Sequence, residues 1–268
     1  MAVNKSLEIL GPIPLFLETG KPFKLATQLM ESGSERQKQQ ILTDATIACA
    51  NSVVLGVLTP EKAAKRVGTL ISVDDSDDHI RICLALEETD REEPEAVEKI
   101  IACLPATKLQ QLDPTTGPSA ELLIDYATPQ QLATLARYYT GKIYAAKTRA
   151  GRFARDEISY EFHDEDLTTS ARVKDAARGL GRLFDLIVAR NDEDSDGLLE
   201  SFGAALLGDQ SITPKIKTGK SVPSSFMIDE IVDMAINRRS SAARVIESLP
   251  DSDPSGWNAK VTLRRNIT

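Results

Sequence analysis

The chain has 268 residues with 32 Lys and Arg against 40 Asp and Glu, a net charge of −8, and 41% hydrophobic residues. That is the composition of an ordinary globular protein with enough apolar material for a sizeable core in one or two domains. It excludes a wholly basic nucleic-acid binder, a disulfide scaffold built on its three cysteines, and a membrane-spanning chain, since every apolar run is short and interrupted.

The opening MAVNKSLEILGPIPLFLETG carries Pro12 and Pro14 inside its apolar part and is expected not to be a signal peptide. Pro22 to Ser32 reads as a short amphipathic helix stopped by Gly33. Ser34 and Gln37 then form a capping box, and the helix they start runs to Leu55 with Ile41, Ala45, Ala48, Ser52 and Leu55 on one packing face. Thr59 and Pro60 are an N-cap and first-position pair for the next helix, whose Lys62, Lys65 and Arg66 form a secondary basic cluster. Asp74 to Asp78 reads as an acidic loop. In the passage after it, Ile80, Ile82, Leu84 and Leu86 alternate as in a strand, but a lone strand has no partner, so helix is expected. A helix from Ala96 to Leu104 follows, and the turn-forming Leu112 to Ser119 is the expected joint between an acidic helical subdomain, 1–111, and a second one, 120–268.

The sharpest signal lies in Thr128 to Arg155. Leu132, Leu135, Tyr139, Ile143, Ala146, Ala150 and Phe153 recur at steps of three and four, one stripe of a long helix. Its only charged residues are Arg137, Lys142, Lys147, Arg149, Arg152 and Arg155. At ~100° per residue Lys142, Arg149, Arg152 and Arg155 follow one another along an arc outside the stripe, with Arg152 and Arg155 on its far side. Residues 1–127 hold 12 Lys and Arg against 20 Asp and Glu, and the remainder is balanced, so this cationic face stands in a chain whose excess acid is all in the first half. Lys142, Lys147, Arg149, Arg152 and Arg155 are therefore the candidate anion-binding residues, for a lipid headgroup layer or a ribonucleoprotein, and copies are expected to self-associate acidic half to basic face. A solvated face balanced by distant acids is the competing reading.

Farther on, Ser170 or Thr169 is expected to cap a helix from Ala171 to Arg190, followed by a helix at Leu198 to Leu207 and an exposed linker, Asp209 to Ser225, carrying Lys215, Lys217 and Lys220. A last helical stretch from Ile228 breaks near Ser240 and resumes at Ala242 to Leu249, and the tail from Pro250 with Trp257 reads as a mobile or docking arm. The fold class is thus all-α, with two helical subdomains. Asp192, Asp194, Asp196 and Gly197 approach an EF-hand loop, but Gly203 stands where the bidentate glutamate belongs, so no metal is expected. His79 and His163, each beside an aspartate, read as exposed and salt-bridged. With Cys49, Cys83 and Cys103 they form no nucleophile or zinc spacing, and no phosphate-cradling glycine motif occurs. Neither catalytic residues nor a cofactor are expected.

SVVLGVLTPEKAAKR, Ser52 to Arg66, and LATLARYYTGKIYAAKTR, Leu132 to Arg149, resemble orthomyxovirus matrix proteins, with thogotovirus-type members nearest. The resemblance, which follows element order over roughly the first 190 residues, implies a non-enzymatic structural protein. Such a protein forms a homo-oligomeric layer under the viral envelope and bridges anionic membrane and ribonucleoprotein, in the virion and at the inner membrane face of the host cell, with the nucleus as a second location. This chain departs from that family in being acidic and in spreading its basic residues around helices. A nucleocapsid-like RNA-binding protein and a cellular helical adaptor are the alternative readings.

Overall fold

A computed structural model describes residues 33–115, 117, 119–153, 164–194, 197–208, 224–237, 239–251 and 254–267. The fold is all-α: the described residues form twelve α-helices and one 3-10 turn and contain no strand. They divide into two compact units, residues 1–127 and 128–268. The turn-rich Leu112 to Ser119 passage, expected as the joint, lies inside the first unit, and the division falls after Ala127.

The first unit holds α1 (Glu35–Val54), α2 (Pro60–Val73), the 3-10 turn Asp77–His79, α3 (Ile80–Glu92), α4 (Pro94–Cys103), α5 (Ala106–Gln111) and α6 (Ala120–Tyr126). Each start has a local cause. Ser34 N–H donates to Gln37 Oε1 at 2.9 Å, one arm of the expected capping box. Thr59 Oγ1 accepts from Lys62 N–H at the head of α2, where Pro60 forfeits no hydrogen bond. The alternating apolar residues do form a helix, and at ~100° per residue their alternation splits them between two faces: Ile82 and Leu86 are buried, Ile80 and Leu84 exposed. The core joins Leu42 and Ala50 of α1, Val67, Leu70 and Ile71 of α2, Leu86 of α3, Ile100 and Ile101 of α4, and Leu123 of α6.

The stretch expected as an acidic loop is one, and its first residues close a packed ionic node. Asp74, its side chain fully buried, accepts from the Ile82 N–H at 3.0 Å, the Ser76 N–H at 3.0 Å and the Arg81 guanidinium at 3.1 Å, so it caps α3 as well as pairing a charge. Arg81 also pairs with Asp75 at 2.6 Å and with Glu35, and Lys38 reaches Asp75 at 2.8 Å. A buried guanidinium with this many acceptors has its desolvation offset, whereas loss of either partner would leave a charge stranded.

The second unit holds α7 (Pro129–Phe153), α8 (Asp164–Asp194), α9 (Leu198–Gly208), α10 (Ser224–Ile236), α11 (Ser240–Glu247) and α12 (Pro254–Ile267). Helix α8 begins before the expected Ser170 cap and runs through Thr169 and Ser170, so these residues are interior rather than capping. Its Leu180, Leu183, Phe184 and Ile187 are buried, with the Phe184 ring edge-on to Phe202 of α9 at 6.3 Å. The tail is not an arm: it forms α12, which buries Ala259 and Leu263 and packs on α10 and α11. Ion pairs Lys260–Asp251 at 2.7 Å and Arg264–Glu247 at 3.1 Å tie it to the turn and helix before it. The expected Pro22–Ser32 helix, His163, and Lys215, Lys217 and Lys220 of the linker lie outside the described residues.

Candidate anion-binding face

Helix α7 is fixed at its head by a reciprocal cap. Thr128 N–H donates to Gln131 Oε1 at 2.7 Å, and Gln131 N–H donates to Thr128 Oγ1 at 3.3 Å. The predicted stripe is buried through Leu132, Leu135, Tyr139, Ile143 and Ala146. It is pressed close to α8, because a Cβ at Gly179 would sit 2.6 Å from the Tyr139 ring. The helix that carries the cations is therefore a rigid part of its unit.

The six cations do not share one fate. Arg137 leaves the cationic face altogether: it is 7% exposed, and its Nη2 donates to the carbonyls of Ala205 and Leu206, both at 2.8 Å. Those carbonyls belong to the last turn of α9, so a buried cation meets the negative end of a helix dipole. Lys147 pairs with Glu230 of α10 and lies 5.6 Å from the centroid of the Phe226 ring, which in turn packs edge-on to Tyr144. Its charge is engaged in holding α7 to α10. Lys142 is exposed, its ammonium 4.3 Å from the centroid of Tyr138 and 5.7 Å from that of Tyr139. A base would find that face of the Tyr138 ring taken, which works against the nucleic-acid stacking mode. Arg149 and Arg152 belong to the α7 backbone, but their side chains, and Arg155 entirely, lie outside the described residues.

The secondary cluster is in the other unit, on α2, with Lys62 and Lys65 exposed and Arg66 half-buried. Arg66 acts inward, where its charge partly opposes the burial that pushes the Cys49 thiol up to about 12. Burial likewise pushes Cys83 up to about 11. Neither buried thiol is an activated nucleophile.

At the aborted EF-hand, both carboxylate oxygens of Asp192 are held by Arg244, at 2.5 and 2.6 Å, and this pairing keeps the Asp192 carboxyl below its ordinary range. The amide oxygen of Asn191 accepts from Leu199 N–H at 3.0 Å and so caps α9. Among the described residues, no group of three or more His, Cys, Asp or Glu is placed to hold a metal ion. His79, expected in solvent with a salt bridge, is half-buried in the left-handed region at φ 51°, with Nδ1 unpartnered. An open hollow of about 760 Å³ lies between Asn191, Glu200, Glu247, Ser248 and Lys260 in the second unit, and the Lys260 ammonium is already paired to Asp251.

Two features escaped sequence reasoning. One is the Asp74–Arg81 node, whose signal was an Arg seven residues after an Asp at a helix start. The other is an apolar turn, Val54 to Val57, that stands in solvent although Leu55 was assigned to a packing face. Comparison with protein-family models, with curated proteins and with solved structures finds no match for this chain.

Proposed function

We propose that this chain is a structural assembly protein of the matrix type, which forms a layer of copies against an anionic membrane and bridges it to ribonucleoprotein. The observation that carries this reading is α7: a 25-residue helix without an acidic residue, locked into its unit by a buried stripe. Lys147 and Arg137 are used to fix it, which leaves Lys142 in solvent, and by sequence spacing Arg149, Arg152 and Arg155 are expected beside it outside the buried stripe. A cation held on a rigid element loses little entropy on binding. Near an anionic bilayer each is worth ~1 kcal/mol, so these four supply ~4 kcal/mol per copy, a weak grip that an array multiplies. The acidic first half, with Glu88, Glu92, Glu95 and Glu98 all exposed, supplies an attractive surface for those basic residues of a neighbouring copy that do not face the bilayer.

The test is co-sedimentation with vesicles containing phosphatidylserine. The K142E/R149E/R152E/R155E variant should keep its helix content and lose binding. Undiminished binding would overturn α7 as the gripping face.

A further inference from the structure

We infer that the turn Val54–Val57 at the end of α1 is a second membrane element, a tip that inserts its side chains into an anionic bilayer. The inference rests on the proposed function only for the identity of the partner; its residues belong to the other unit. Val54, Leu55 and Val57 are 57%, 67% and 38% exposed, three large apolar side chains in four residues. Surface apolar residues scattered singly are ordinary, but a run of them at the apex of a turn is not. Among the described residues the apex stands clear, since a Cβ built at Gly56 would meet nothing within 4 Å beyond its chain neighbours. Behind it Leu58 is buried, so the turn is anchored and does not depend on its exposed residues for its place.

The N–H groups of this turn meet their part of the demand that hydrocarbon makes on an inserted segment. Leu55 N–H donates to Asn51 O at 2.9 Å and Gly56 N–H to Val53 O at 3.0 Å. Val57 and Leu58 both donate to Ser52 O, at 2.9 and 3.0 Å. Four consecutive amides are thus satisfied from within, and the αL conformation of Gly56, φ 68°, is what folds the chain back to allow it. No N–H of the apex need lose a water partner on entering an apolar medium. A protein partner would make no such demand, because it can offer acceptors of its own.

Charge decides the lipid. Lys62 and Lys65 are exposed on the first two turns of α2, directly after the tip, and Glu61 is the one acidic residue between Val54 and Arg66. Long lysine stems beside an apolar apex reach back to the headgroup level while the apex sits below it. The surface that fits is an apolar interior under an anionic layer.

The test uses the full chain with its only tryptophan moved to the apex, L55W in a W257F background, and vesicles of phosphatidylcholine with and without phosphatidylserine. Emission from the apical indole should shift to the blue on the anionic vesicles and be quenched by bromine placed on the acyl chains. The further changes K62E and K65E should lower the apparent affinity by at least ~10-fold, with helix content unchanged. Insertion of the apical indole should survive in part when the α7 cations are reversed, which separates the two elements. An indole that stays in water on vesicles that sediment the protein would overturn the tip and leave the α7 reading standing. A blue shift that arises without vesicles and grows with protein concentration would overturn it in favour of a second copy. No sedimentation with any vesicle would overturn both.

Discussion

Replacing Arg137 by methionine tests whether a cation in the middle of the basic helix is part of the binding face or of the core. Methionine keeps much of the length of the side chain, so the change removes charge and donors without opening a large void. What is lost are two hydrogen bonds of 2.8 Å from Nη2 to the Ala205 and Leu206 carbonyls, at the negative end of α9. Hydrogen bonds to a charged group are worth ~1.5–3 kcal/mol each, and stranding buried carbonyls adds to that. One nitrogen serves both bonds, and the guanidinium's own desolvation is recovered on removal, so the net loss should be about 3 kcal/mol. For a unit of this size that lowers Tm by ~10 °C. Urea unfolding followed through Trp257 reports the second unit, since that is where the only tryptophan lies. The midpoint should fall with the slope unchanged, while vesicle binding of the folded protein stays intact. A stability change under ~0.5 kcal/mol, the range of ordinary surface substitutions, would refute the argument. So would loss of vesicle binding at full stability.

Two further outcomes concern acid stability and close packing. Hydrogen bonds from Lys38 and Arg81 hold the Asp75 carboxyl down to about 2, so its contribution is present above its unfolded value near 3.8 and is lost as pH falls through about 2. Thermal melts between pH 5 and pH 2 should therefore show the first unit losing stability across that window, and D75N should flatten this part of the slope; an unchanged slope would refute the assignment. In α8, G179A drives a methyl to 2.6 Å from the buried Tyr139 ring and should cost ~1–3 kcal/mol, whereas at Gly181 the obstacle is the end of the flexible Arg239 side chain. There the gain in helix propensity, ~0.5–1 kcal/mol, should prevail. Melting temperatures falling in the order G181A, wild type, G179A are expected, and the reverse order would show that the ring rather than the guanidinium gives way.

The helix starts were legible because capping is local chemistry: Ser34 with Gln37, Thr59 with Pro60, and Thr128 with Pro129 each fix their helix from residues within one turn. The stripe of α7 was legible for the same reason, since period alone brings Leu132, Leu135, Tyr139 and Ile143 to one side. Which cations remain on the surface was not. Arg137 and Lys142 look alike in sequence, and only the arrival of the α9 carboxyl end, 68 residues later, turns one of them inward. Helix α12 was missed because its buried face is little more than Ala259 and Leu263, too sparse to register as a period. Leu55 kept the spacing of its helix but falls one residue past the end of α1, where the packing partner has run out. The role of Asp74 stayed hidden because five acidic or polar residues in a row mask the one that caps α3.

The ionic node also constrains how the first unit can come together. Gln39 bonds to the Arg81 carbonyl and Thr43 to Glu88, so α1 and α3 advance in the same direction side by side. Two parallel neighbours cannot zip up as a hairpin of successive helices, and α2, ~21 Å long by its 14 residues, has to return the chain first. The Lys38–Asp75 and Glu35–Arg81 pairs are where that return is closed, across 37 and 46 residues. Such contacts carry loop-closure entropy that no local turn shares. They raise the contact order of a bundle that would otherwise be built from neighbours, and with it the time the chain takes to find its fold.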